Sequence, residues 1–208
     1  MVTVEADVDQ VECRLAAGEL SCPSCGGVLA GWGRARPRQL RGPHGPVELC
    51  PRRSRCTGCG VTHVLLPVTA LLRRADTAAV IVSALAAKAT SRVGFRRIAA
   101  DLARPAETVR GWLRRFAERA ETVRSVFTVW LRAVDPDPVM PGPAGGGFVD
   151  AVVAIGALAA AIGRRFSLPV VSLAETAVAV SGGRLMAPGW PGERVQHEST
   201  LPAAPIGP

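Results

Sequence analysis

Four of the six cysteines in this 208-residue chain fall into two pairs. Cys22-Pro23-Ser24-Cys25-Gly26 and Cys56-Thr57-Gly58-Cys59-Gly60 share the spacing C-x-x-C-G. Two residues between thiols let one tight turn aim both sulfurs at a single ion. The glycine behind each second cysteine permits a positive φ at that crowded point. Two such turns supply four thiolates in a tetrahedron, the closed arrangement of structural zinc. An ion so ligated has no open position for water, so its expected role is to hold the fold rather than to react. A lone C-x-x-C would read equally well as a redox pair. Two glycine-followed pairs, with 30 residues of partly strand-like sequence between them, favour Zn²⁺ on Cys22, Cys25, Cys56 and Cys59 over scattered thiols. Cys13 and Cys50 are left over and read as small apolar residues. His44 or His63 could ligate only by displacing a thiolate; His63, in a strand beside the second pair, is expected to pack over the site.

A second constellation lies at 95–116. Ile98, Ala99 and Leu102 form the inner face of one short helix. Val109, Trp112, Leu113 and Phe116 recur at i, i+3, i+4 and i+7 and form the inner face of a second. Pro105 suits that helix's first position, and Glu107 favours its positive end. The outward residues of the second helix are then Ala106, Thr108, Arg110, Gly111, Arg114 and Arg115. A helix of this width fits the major groove. Thr108 and Arg110 sit where base edges would be met. Arg114 and Arg115 lie further along as phosphate contacts, and Arg96 and Arg97 on the first helix are candidate phosphate clamps. The neutral alternative is a plain pair of packed helices with arginine outside.

These residues carry a resemblance. The run Arg96-Arg97-Ile98-Ala99, then Leu102, Thr108-Val109-Arg110 and Trp112-Leu113, is similar to the helix-turn-helix of bacterial transposases and related regulators. Ala103 departs from it, standing where many members have glycine at the turn. The paired cysteines resemble a zinc ribbon, and the ribbon's end at 53–67 followed by helices extends the likeness. As a whole the chain resembles an uncharacterised bacterial zinc-ribbon plus helix-turn-helix family, itself similar to the N-terminal DNA-binding part of transposases. The resemblance covers about 20–133 and extends loosely to 182–188. It implies recognition of double-stranded DNA, at the ends of a mobile element or at a promoter.

Strand transfer would need more: carboxylates converging on Mg²⁺, usually on a domain of their own. After position 133 the acids are Asp135, Asp137, Asp150, Glu175, Glu193 and Glu198, in a proline-rich linker, apolar or short helices, and a tail. They read as surface and capping carboxylates, and no enzyme is expected. The leading expectation is a sequence-specific DNA-binding protein, as a homodimer or beside a transposase partner. The alternatives are a non-catalytic subunit or truncated form of a transposase, and a zinc-ribbon module that binds protein or RNA.

The supporting elements follow from composition. Hydrophobic residues make up 48% of the chain, tyrosine is absent and phenylalanine scarce, so the core must be built of Ala, Val and Leu. The fold expected is mainly α, with a small N-terminal β zinc ribbon, a helix-turn-helix core and further C-terminal helices. Segment 1–21 is acidic. Segment 22–67 is the ribbon, with strands at 28–32, 47–49 and 61–66, the middle one at an edge because of Pro51. Segment 68–134 is helical, with Asp76 capping a helix over 77–90. Segment 135–147 reads as a linker. Segment 148–186 holds an apolar helix at 148–166 and a short one at 173–180 closed by Gly182 and Gly183. Segment 187–208 reads as a disordered tail. Charge is partitioned as sharply: 22–132 carries 20 basic residues against six acids, whereas the flanks are net acidic. A basic block of this kind is the footprint of a polyanion. No basic-then-apolar leader opens the chain, and the longest wholly apolar run, 151–163, falls short of the ~20 residues a bilayer requires. A cytoplasmic, nucleoid-associated protein without a membrane partner is the corresponding expectation.

Overall fold

The computed structural model describes residues 1–91 and 93–191. Among the described residues, seven helices, a four-stranded sheet near the N-terminus and a two-stranded hairpin make up the fold. The expectation of a mainly helical chain with an N-terminal β unit around the cysteines holds at that level.

The sheet has four strands in the order β1-β6-β5-β2, where β1 is Val2–Val4, β2 Leu29–Arg34, β5 Arg52–Cys56 and β6 Thr62–Pro67. β1 runs parallel to β6; β5 is antiparallel to both β6 and β2. Helix α1, Val8–Ala16, lies between β1 and β2 in sequence and is capped by the Asp7 carboxylate, which accepts from the amides of Asp9 and Gln10. Glu12 of α1 reaches across to Arg52 at 2.8 Å. The acidic opening segment is therefore part of the cysteine-bearing β unit: Val4, Val11, Leu15 and Leu20 pack with Leu29, Leu65, Cys22 and Cys56 in one small core. β3, Arg38–Arg41, and β4, Pro46–Leu49, form a separate hairpin whose inward Leu40 and Leu49 meet Leu66 and Ala70.

Six helices form the larger lobe: α2 Ala78–Thr90, α3 Phe95–Asp101, α4 Ala106–Ala117, α5 Ala120–Val134, α6 Gly147–Arg165 and α7 Leu173–Ser181. Only 118–119 separate α4 from α5, so the chain bends there instead of continuing as one helix. Val123, Phe127, Leu131 and Val134 form the buried stripe of α5, and α5 packs along α6. α6 has the length and apolarity of a membrane-crossing helix once its flanks beyond 151–163 are counted. Here Ala151, Ala154, Ile155, Leu158 and Ala161 are buried in the lobe's core, which α2, α4, α5 and α7 also build. That face of α6 is thus covered within the chain. α7 is capped by the Ser172 hydroxyl, which accepts from the Glu175 amide, and is closed by Gly182 at φ 58°.

Two further features depart from the expectations. Asp76 does not cap α2; Thr77 occupies the cap position without a side-chain bond, and Asp76 is buried in an ion cluster described below. Trp190, placed in the tail by composition, is 5% exposed and belongs to the core with Leu185 and Met186. The rest of the expected tail, 192–208, lies outside the described residues.

Candidate metal centre and basic cleft

Each cysteine pair sits in a tight turn at the end of a strand or bridge. The Cys22 amide donates to Gly27 O, the Gly26 amide to Cys22 O and the Gly60 amide to Cys56 O. Gly26 and Gly60 have φ of 72° and 74°, the left-handed conformation expected behind each second cysteine. A Cβ at Gly27 would stand 3.1 Å from Cys56 Sγ, a tight approach that would press on the sulfur cluster. The two turns face one another through the β2–β5 pairing, which sets Leu29 opposite Cys56.

All four sulfurs lie within 4.8 Å of one another. Cys22 and Cys59 are 3.8 Å apart, and Cys25 and Cys56 3.4 Å. A tetrahedral ion with bonds of about 2.3 Å separates its thiolates by about 3.8 Å. The site could therefore hold a metal ion, and the donor set fits zinc. The thiols do not titrate alike. Burial works to raise Cys22, but amide donors at Ser24 and Cys25, with His63 and Cys59, hold it down to about 7. The amide of Cys59 is the chief cause that lowers Cys56, to about 6, against its burial. Cys59 gains some relief from the Val61 amide, but the neighbouring sulfurs and burial push it up to about 12.

His63 packs over the site as expected. Its ring is buried, with Nε2 3.3 Å from Cys22 Sγ and Nδ1 3.1 Å from the Met1 amine. It is a neighbour of the sulfurs and not one of the cluster. His44 lies exposed in the β3–β4 turn, and Cys13 is exposed on α1. Cys50 is half-buried near Ala35 O.

In the helical lobe, Ile98 and Ala99 of α3 and Val109, Trp112, Leu113 and Phe116 of α4 are buried, as their spacing predicts. The turn 102–105 joins them. Ala103 within it has φ 51°, the left-handed position for which glycine is the usual residue. Pro105 stands at the cap of α4, one position before the helix. Arg96, Arg97, Arg110 and Arg114 are exposed; Thr108 and Arg115 are half-buried. Several are occupied within their own helices: Arg97 pairs with Asp101, Arg110 with Glu107 and Arg114 with Glu118.

The outer face of α4 does not stand alone. It forms one wall of a cleft of about 550 Å³ whose other wall is the segment 73–76 with Arg41. Six arginines line it, namely Arg41, Arg73, Arg74, Arg110, Arg114 and Arg115, against the two acids Asp76 and Glu107. Of the candidate DNA-binding residues, Thr108, Arg110, Arg114 and Arg115 meet there; Arg96 and Arg97 do not line it.

At the floor of the cleft Asp76 joins the two lobes. Its Oδ2 accepts from Arg41 Nη2 and its Oδ1 from Arg104 Nε, both at 2.6 Å, while Arg104 Nη2 donates to Gly42 O at 2.7 Å. Arg41 belongs to the hairpin, Asp76 to the approach of α2 and Arg104 to the α3–α4 turn. Sequence reasoning missed this cluster, together with Arg73 and Arg74. These residues stand in no motif, and only the fold brings positions 41, 76 and 104 together. On the ribbon, Trp32 is 53% exposed with the Arg55 guanidinium 4.9 Å from its ring centroid.

No protein-family model, curated protein or solved structure matches the chain.

Proposed function

We propose that the protein binds double-stranded DNA in a sequence-dependent manner. In this reading α3 and α4 act as a helix-turn-helix, and a structural Zn²⁺ on Cys22, Cys25, Cys56 and Cys59 rigidifies the ribbon beside them. The observation that carries the reading is the division of α4 into two faces. Val109, Trp112, Leu113 and Phe116 anchor it in the core, while Thr108, Arg110, Arg114 and Arg115 remain accessible on one side. An anchored helix with a cationic outer face, supported by a second helix through a four-residue turn, has what groove insertion requires. The concentration of positive charge in 22–132 supports the same partner. Zinc, bound by four thiolates, supplies folding energy and has no position open for a substrate. The reading assigns the chain a regulatory or transposition-accessory role and no catalysis, in the cytoplasm with the nucleoid.

The test is a salt titration of binding to random duplex DNA, wild type beside Arg110→Ala/Arg114→Ala, followed by site selection. Affinity should fall steeply with salt in the wild type. The double variant should bind more weakly, with a salt slope shallower by about one unit for each phosphate no longer neutralised. Binding indifferent to both arginines would remove α4 from the interface and leave the ribbon, with its exposed Trp32 and Arg55, as the surface to test.

A further inference from the structure

The cleft between α4 and 73–76 concentrates unfavourable features that packing does not explain. Arg73 is held at φ 57°, a conformation that side-chain-bearing residues rarely adopt. Arg74 has its Nε buried without a hydrogen-bond partner, although its Nη2 donates to Met186 O at 2.7 Å. Burial and the charges of Arg115 and Arg119 both push the Arg74 guanidinium below its ordinary pKa. Gly111 sits in the interior of α4, where glycine is a poor helix former, and a Cβ there would come to 3.1 Å from Arg115 Nη1. The bare glycine lets Arg115 lie along the helix wall. Among the described residues Arg73, Arg74 and Arg115 pair with no carboxylate, whereas Arg41, Arg110 and Arg114 each have one.

Strain, an orphaned donor, mutual repulsion and a helix-interior glycine thus converge on one concave surface. An anion with several acceptor oxygens would relieve the third of these directly. It would also give the first and fourth a purpose, since they set the positions of Arg73 and Arg115. Guanidinium groups match phosphate oxygens in geometry as well as charge. We propose that the cleft is a phosphate-binding site, held by Arg73, Arg74 and Arg115, and that the phosphate it takes is a backbone phosphodiester of bound DNA. The origin of the phosphate rests on the DNA reading above; the existence of the site does not. With a phosphate seated there, the strand passes along α4 and against 73–76, and the approach to α2 becomes part of the interface.

The experiment uses the full chain and two probes, inorganic pyrophosphate and duplex DNA, each measured by calorimetry. Arg73→Gly is the informative variant, because glycine accepts φ 57° without strain while the charge is removed. It should unfold no more easily than the wild type, which separates a binding defect from a folding one. Wild type is expected to bind one pyrophosphate, and DNA should displace it. Arg73→Gly should lose about tenfold in affinity for both probes, and its salt slope on DNA should fall by about one unit. Arg96→Ala, outside the cleft, should weaken DNA alone. Pyrophosphate binding unchanged by Arg73→Gly, or no such binding in wild type, would overturn the site. Loss of pyrophosphate with DNA affinity and slope unchanged would overturn the backbone assignment and leave a free phosphate compound as the ligand. Wild type that binds pyrophosphate through Arg73 but no DNA would overturn the DNA reading while the phosphate site stands.

Discussion

Ala103 sits at φ 51° in the α3–α4 turn, where its Cβ crowds the following carbonyl. Replacing it with glycine should stabilise the protein by about 1 kcal/mol, less what glycine loses in unfolded-chain entropy. Urea unfolding of Ala103→Gly checks this; a destabilised variant would mean the turn is not strained in solution. The departure from glycine was readable in the sequence because turn chemistry is local. Asp76 was not, because its partners lie 35 and 28 positions away. As an acid two positions before a helix it looks like a cap, yet its burial among Arg41, Arg104 and Gly42 gives it another role. Asp76→Asn keeps the shape but leaves Arg104, itself largely buried, without its counter-charge. Losing one partner of a buried pair costs about 3–5 kcal/mol. Arg41 is half exposed and adds little to that figure. A double-mutant cycle between Asp76→Asn and Arg104→Ala should show strong coupling, and additive effects would sink this account.

The elements were legible in proportion to how much of their pattern is apolar. α4 and α5 announced themselves through stripes of Val, Trp, Leu and Phe that are now buried. β3 and β5 did not, because Arg38, Arg41, Arg52, Arg53 and Arg55 dominate them and only Leu40, Ser54 and Cys56 face inward. β1 is three residues long and pairs with β6 across more than 60 positions of chain, which no local pattern reveals. The cysteine turns were readable because spacing and glycine position define them completely. Their chemistry sets a pH window. Cys22 and Cys56 ordinarily titrate at 9.0 and are held at about 7 and about 6. Groups with depressed pKa favour the folded form fully above the ordinary value, and lose that contribution as pH falls through the folded value. Cys59, pushed up to about 12, has the opposite sign and stays protonated at neutral pH until an ion displaces its proton. Metal uptake at pH 7 should therefore release protons, that of Cys59 among them, and bound metal should keep the thiolates deprotonated to well below the pH at which the free thiols titrate, leaving only in stronger acid. Acidification with a colorimetric zinc indicator measures this. Metal lost already between pH 7 and 6 would show that the ion adds little to the stability of the thiolates.

At the scale of the molecule, the question is whether ribbon and helical lobe unfold together. The sequence suggested separable segments, with a boundary near 67 and a disordered tail after 186. The structure ties them at three places. Asp76 bridges the hairpin and the α3–α4 turn. Gly183, at φ 72°, lies so close to Leu66 that a Cβ would approach it to 2.8 Å, and the Leu72 amide donates to Gly183 O. Beyond it Arg74 and Arg119 donate to the carbonyls of Met186 and Ala187, which brings Trp190 into the core. Each tie crosses from the cysteine-bearing half to the helices, or from the C-terminal segment back to them. Chain order hides this: composition separates the pieces, and tertiary packing rejoins them. A single cooperative transition follows as the expectation, with zinc release, tryptophan fluorescence and helical circular dichroism changing at one denaturant concentration. Chelation should then lower the midpoint seen by the helical signal, although no helix of the larger lobe carries one of the four cysteines. Asp76→Asn, by cutting the main polar tie, should pull the zinc and helix transitions apart. Two separate transitions in the wild type itself would mean that the ribbon is an independent unit and that these three ties do not couple it to the helices.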